Sequence, residues 1–251
     1  MRAFIFFLAI FTCLNLYAYK AKKLVIRAAV AEEFKDGLHS KYLKYFADKL
    51  NVTLELSTMP FARRLRHIEN GQLDLIVGIQ KTEERQDEFV YILPHYELLS
   101  HRIFTLKENH HQIKSYQDLA GKHIGINHYS KYFQRFDNDE NINKFRATGV
   151  VQNIELLLRG RIDAFIHYEE STLPLLSKMG KKGKITKSLY QPDYETLHYL
   201  AISSHSKLAT RQDELKLIVE QAIKNNDLLN IRLDHYADIY ARSAALPQQH
   251  N

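Results

Sequence analysis

The sequence predicts an α/β fold of two similar lobes, each a mostly parallel sheet flanked by helices, joined by two crossing hinge strands. Three observations carry this expectation. Strand-like and helix-like segments alternate from residue 24 onward, the pattern of successive βαβ units. Two stretches echo one another: "IENGQLDLIVG" (68–78) and "LLRGRIDAFIH" (157–167) each run helix end, glycine, one or two residues, aspartate, apolar strand. Two long strand-like stretches, "ELLSHRIFTLKE" (97–108) and "TLHYLAISS" (196–204), flank the second series and are placed to cross between lobes.

The elements follow in order. "LVIRAAVA" (24–31) is a strand, and "HSKYLKYFADKL" (39–50) places Leu43, Phe46, Ala47 and Leu50 on one helical face. "VTLELST" alternates as a half-buried strand, "FARRLRHIENG" is a helix stopped by Gly71, and "LDLIVG" is a buried strand. The second series predicts helices at 115–122, 130–136, 150–160 and 169–179, with strands at 123–127, 143–148 and 162–168. Helices over 211–226 and 227–242 complete the first lobe. Lobe one is therefore expected to comprise residues 19–105 plus 200–251, and lobe two residues 106–199.

The first eighteen residues read as a cleavable secretory signal. Arg2 supplies a short positive region, "AFIFFLAIFTCLNL" is too short to span a bilayer comfortably, and small Ala18 precedes the polar "YKAKK". The single cysteine, Cys13, lies inside this segment, so the mature chain is expected to have no disulfide, thiolate nucleophile or Cys-metal site. The net charge of +6 favours anionic partners. The basic residues are scattered without interleaved aromatics, which argues against nucleic acid and leaves small anionic ligands. Thirteen histidines invite a metal reading, but no zinc-helix spacing occurs among them, and they are expected to be surface or hydrogen-bonding residues. No metal and no cofactor are expected.

The segment "FARRLRHIENGQLDLIVGIQKTEERQDEFVYILPHYE" resembles the signature of bacterial extracellular solute-binding protein family 3, with its G-x-x-D-strand-G-x-x-x-T-x-E-R run and following aromatic-Pro-Tyr patch. "DLAGKHIGI" and "LLLRGRIDAFI" resemble the second-lobe strand entries of that family. The resemblance covers nearly the whole mature chain. It implies a periplasmic, monomeric, two-lobed binding protein that closes on a small polar, carboxylate-bearing solute and hands it to an inner-membrane ABC permease. A membrane sensor as recipient and a periplasmic dehydratase on the same fold are the alternatives, and no enzyme is expected.

The resemblance also assigns residues. Arg85 would pair with a ligand carboxylate through its planar guanidinium. Gly78 and Gln80 would offer backbone groups, and Thr82 a hydroxyl. Phe34 and Phe61 would be aromatic walls on either side of the ligand. One of Arg63, Arg64 and Arg66 could face the cleft, the others lying on a solvated face. In lobe two, Ser130 is kept at a strand-to-helix turn that otherwise carries His128 and Tyr129. Tyr168 stands where amino-acid-binding members place the aspartate that holds the ligand's ammonium, with Glu169 and Glu170 directly after. One of these glutamates would take over that role if the strand end were shifted; otherwise the ammonium clamp is absent.

Overall fold

A computed structural model describes residues 23–245; the expected signal, residues 1–18, and the end of the tail, residues 246–251, lie outside them. The first half contains β1 (Val25–Val30), α1 (Leu38–Lys49), β2 (Thr53–Thr58), α2 (Phe61–Glu69) and β3 (Leu75–Ile79), followed by the long strand β4 (Val90–Leu106). The second half contains β5 (His123–Asn127), α3 (Gln134–Asn138), β6 (Asn143–Ala147), α4 (Val150–Leu158), β7 (Ala164–Tyr168), α5 (Glu169–Lys178) and the short β8 (Ile185–Lys187). The chain returns through β9 (Glu195–Ile202) to α6 (Gln212–Lys224) and α7 (Asp227–Ala245).

The strands run in the order β2-β1-β3-β9-β4-β7-β5-β6, with β8 beside β4. β1 pairs in parallel with β2 and β3, and β5 in parallel with β6 and β7. Between these two parallel groups stand the antiparallel strands β9 and β4. β4 pairs with β9 at Val90–Ile92 and again from Glu97 to Ser100, then leaves it to pair with β7 from His101 to Thr105. One strand thus belongs to both halves, and its change of partner lies between Ser100 and His101.

Each half buries apolar side chains on both sheet faces. In the first, Leu43, Phe46, Leu75, Leu200 and Val219 fill the face under α1 and α6, while Ile68, Ile76, Ile79 and Phe89 fill the face under α2. In the second, Ile103, Ile124, Phe136 and Ile166 fill one face, and Phe104, Ile154, Leu157 and Phe165 the other. Such continuous apolar strands are what a sheet covered on both sides requires. β2 differs: as the edge strand it leaves most of its residues exposed, although its alternation predicts a half-buried strand. Among the described residues, no helix is long and apolar enough to cross a membrane.

Three further elements depart from the sequence expectation. The helix expected over 115–122 is a single 3-10 turn, Tyr116–Leu119, closed by a capping box between Ser115 and Asp118. The helix expected over 130–136 is shorter and displaced to Gln134–Asn138. Here the Tyr132 hydroxyl accepts from the Asn127 backbone at 2.8 Å, and the Asp137 carboxylate accepts from Tyr132 N–H at 3.0 Å, so side chains satisfy the backbone that a helix would have used. The crossing strand expected from residue 97 begins at Val90, because Val90–Ile92 already pair with β9. α7, expected to complete the first half, also lies against α5 of the second.

Candidate functional site

A cavity of about 1180 Å³ lies between the two halves, beside the crossing strands. Its walls come from the segments that follow β1, β2 and β3 on one side and β5, β6 and β7 on the other, with Glu97, His101 and His198 at its floor. Parallel sheets place such a crevice at the carboxyl ends of their strands, where loops are free to carry side chains inward.

On the first wall, β3 ends through Gly78, whose φ of +71° is in the left-handed region. A side chain there would also collide with His39, whose ring comes within 2.3 Å of an added Cβ. The Gly78 N–H donates to the Tyr96 hydroxyl at 2.8 Å. Gln80 then reaches across the cavity, donating through Nε2 to the Lys131 carbonyl and to the Tyr168 hydroxyl, each at 3.1 Å. Arg85 closes the following 3-10 turn, Glu83–Arg85, and is buried. Its Nη2 donates to the Tyr129 carbonyl of the opposite wall, and its guanidinium carbon lies 5.9 Å from the Phe61 ring centre. Burial pushes the Arg85 pKa down from its ordinary value.

Arg64, in the first turns of α2, lies 5.1 Å from the centre of the same Phe61 ring. It is 8% exposed, and its Nε has no hydrogen-bond partner. Burial lowers its pKa to about 10, so it carries its charge at neutral pH; Glu33 opposes the shift through space. Arg63 and Arg66 are exposed. Of the three arginines, only Arg64 lines the cavity.

The opposite wall is built differently. Tyr168 ends β7 with its ring stacked on His101 at 4.3 Å, and its hydroxyl meets His198 Nε2 at 3.0 Å. Burial raises the Tyr168 pKa to about 12. Glu169 is turned away from the cavity, 2.6 Å from Lys187 and 3.5 Å from Arg102. Glu170 faces inward but is held by Arg232 of α7, which also binds the buried Glu97 at 2.9 Å. Tyr42 donates to the same Glu97 oxygen at 3.1 Å. Desolvation lowers the pKa of His167 to about 4 and of His198 to about 3, and that of His101 well below the ordinary range. His39 keeps part of its ring open to the cavity yet is ringed by protein, and desolvation followed by the Arg64 charge lowers it to about 4. These four imidazoles are neutral, and those of His167 and His198 are hydrogen-bonded, to Thr172 and to Tyr168.

Of the residues singled out in the sequence, Phe34, Phe61, Gly78, Gln80, Arg85, Ser130 and Tyr168 all line this one cavity. Thr82 and Glu169 do not. Thr82 lies beside Glu84, whose carboxyl is lowered to about 2, first by Lys131 and then by the Thr82 hydroxyl. Glu169 starts α5 with its carboxylate drawn toward the two cations beneath it. Phe34 packs against the apolar cluster of the second half, at the opposite side from Phe61, which packs under α2. The imidazoles were not anticipated: histidine composition says nothing of burial, and only their positions on the crossing strands (His101, His198) and at the end of β7 (His167) could have marked them. No group of three or more His, Asp and Glu side chains is placed to hold a metal among the described residues.

The family of bacterial extracellular solute-binding proteins, family 3, matches residues 31–232. The putative amino-acid ABC transporter-binding protein PatH of Vibrio harveyi is 29% identical over 132 residues, which cover 51% of this chain and 51% of that protein, so the match spans about half the length of this curated relative. Among solved structures, the amino acid ABC transporter substrate-binding protein AbpA from Streptococcus pneumoniae, bound to L-arginine, superposes with a TM-score of 0.74 at 21% identity, covering 88% of this chain and 98% of its own. The GluR0 ligand-binding core from Nostoc punctiforme, in complex with L-glutamate, gives 0.69 at 16% identity, covering 84% and 98%. At these identities the structural likeness establishes the two-lobed fold.

Proposed function

Because the chain belongs to bacterial extracellular solute-binding protein family 3, we propose that it captures a small polar, carboxylate-bearing solute between its lobes in the periplasm. Arg85 supports this reading most directly. A buried guanidinium at the mouth of a strand-end turn, facing an interlobe cavity, is a preorganised carboxylate site. Phe61 beneath it excludes water, which strengthens the charge interaction.

Closure about β4 and β9 is the proposed mechanism, with the expected lobes 19–105 plus 200–251 and 106–199 as the moving bodies. The contacts that join the walls, Gln80 to Lys131 and Tyr168, Lys131 to Glu84 at 2.8 Å, and Arg85 to the Tyr129 carbonyl, belong to the closed form. A solute touching both walls adds to them and shifts the equilibrium toward that form, which an ABC permease would then recognise. The relative PatH carries the name of an amino-acid ABC transporter-binding protein, which supports a transport role. The dehydratase alternative would need a carboxyl free to donate a proton opposite Arg85. Glu169 is off the cavity and Glu170 is engaged by Arg232, so neither is so placed.

A thermal-shift panel of amino acids, di- and tricarboxylates and polyamines tests this function. A ligand that binds only the native state raises the melting temperature. At least one carboxylate-bearing compound is expected to do so, and polyamines are not. A response confined to polyamines would contradict the proposal.

A further inference from the structure

Arg64 is a cation for which the fold provides an aromatic ring but no counter-charge. No hydrogen bond or ion pair engages its guanidinium among the described residues, although it is more than nine-tenths buried. Leaving a buried charge unpaired is costly, and proteins rarely keep one without a use for it. The neighbouring acid, Glu33, acts on Arg64 through space, but no ion pair joins them. Phe61 lies beneath it, as it lies beneath Arg85, at 5.1 and 5.9 Å from its centre respectively. Two guanidiniums therefore flank one aromatic ring on one cavity wall. On the opposite wall the cavity-lining carboxylates are each beside a cation of the protein, Glu170 held by Arg232 and Glu155 at 3.6 Å from Arg159, and Tyr168 stands at the end of β7.

From this arrangement we infer that the solute carries two acidic groups and no required amine, with Arg85 holding one group and Arg64 the other. The inference rests on the binding function proposed above and narrows its ligand to dianionic acids. A single guanidinium suffices for one carboxylate, which it grips bidentately. The second, equally dry guanidinium needs a second anion to offset its desolvation. Phe61 then serves as a floor shared by both cations, so a ligand spanning them lies over the ring.

The test titrates glutarate, succinate, L-alanine and L-arginine into the wild type, Arg64→Met, Arg64→Lys and Glu33→Gln by calorimetry, with the melting temperature of each unliganded protein. A dicarboxylate is expected to bind the wild type. Arg64→Met is expected to weaken it by roughly 30-fold or more, the usual effect of removing one partner of a buried charge pair. Arg64→Lys should retain part of the affinity. The unliganded Arg64→Met protein should melt no lower than the wild type, since an unpaired buried charge has been replaced by an apolar side chain of similar length. A purely structural arginine would give the reverse: lower melting and unchanged affinity. Dicarboxylate binding that is indifferent to Arg64 overturns the inference while leaving the solute-binding function in place. So does tight binding of L-alanine or L-arginine that depends on Glu33 instead of Arg64. Silence from all four compounds overturns the inference, and the broader panel then decides the function separately.

Discussion

The two walls of the cavity use charge in opposite ways. On the first, Arg64 and Arg85 are buried beside Phe61 with no carboxylate bound to either. On the second, Glu169 and Glu170 are each bound to cations of the protein itself, and the imidazoles behind them are neutral. A charge already paired with an opposite charge of the protein holds the fold or the closed form; one without a counter-charge is left for a ligand. The contrast assigns recognition of acid to the first wall and closure to the second, where Arg232 joins Glu97 of the crossing strand to Glu170 of the far lobe.

The largest effect should come from the first wall. Arg85→Ala is expected to weaken binding of a carboxylate ligand by roughly 30-fold or more, with the circular dichroism spectrum unchanged. Calorimetry checks it, and an unaltered dissociation constant would move the acid site elsewhere. Arg232→Ala attacks the second wall. It leaves Glu97 buried without its cation and unties Glu170, and should cost about 3 kcal/mol in urea denaturation. It should also enlarge the radius of gyration in small-angle scattering, because a tie between lobes is lost. If stability fell with no change in size, the pair would be a core contact only.

The histidines give the broadest effect, spread over a range of pH and not set by any one contact. Their pKa values in the folded protein, about 4 for His39 and His167 and about 3 for His198, lie below the unfolded value near 6.5. Below pH 6.5 the unfolded chain therefore takes up protons that the native protein refuses. Stability conferred by the neutral rings is complete above that pH and is lost progressively as pH falls toward 4. The melting temperature should decline over this window. A flat profile would mean that the rings are open to water.

Much of this architecture was legible in the sequence because it is written in local pattern. The alternation of apolar runs with 3.6-period segments gave β1, α1, β3, α4 and β7, and the repeated glycine-aspartate-strand run marked two similar halves. Arg85 and Gly78 were legible through their motif. The remainder depends on contacts between distant residues. The shortening of α3 follows from Tyr132 and Asp137 bonding the loop before it, and nothing in the run "SKYFQRF" announces that. The capture of Glu170 by Arg232 joins residues 62 positions apart. Arg64 was one of three arginines in four residues, and which one turned inward was settled only when α2 packed its Leu65–Ile68 side onto the sheet.

The most direct measurement of whether acid is gripped on one wall, with no amine clamp on the other, is a pair of calorimetric titrations with glutarate and L-glutamate, which differ only by the α-amino group. Glutarate is expected to bind at least as tightly as L-glutamate. A tenfold or greater preference for L-glutamate would show that the amine is held, and would contradict the account in which the second wall carries no amine clamp.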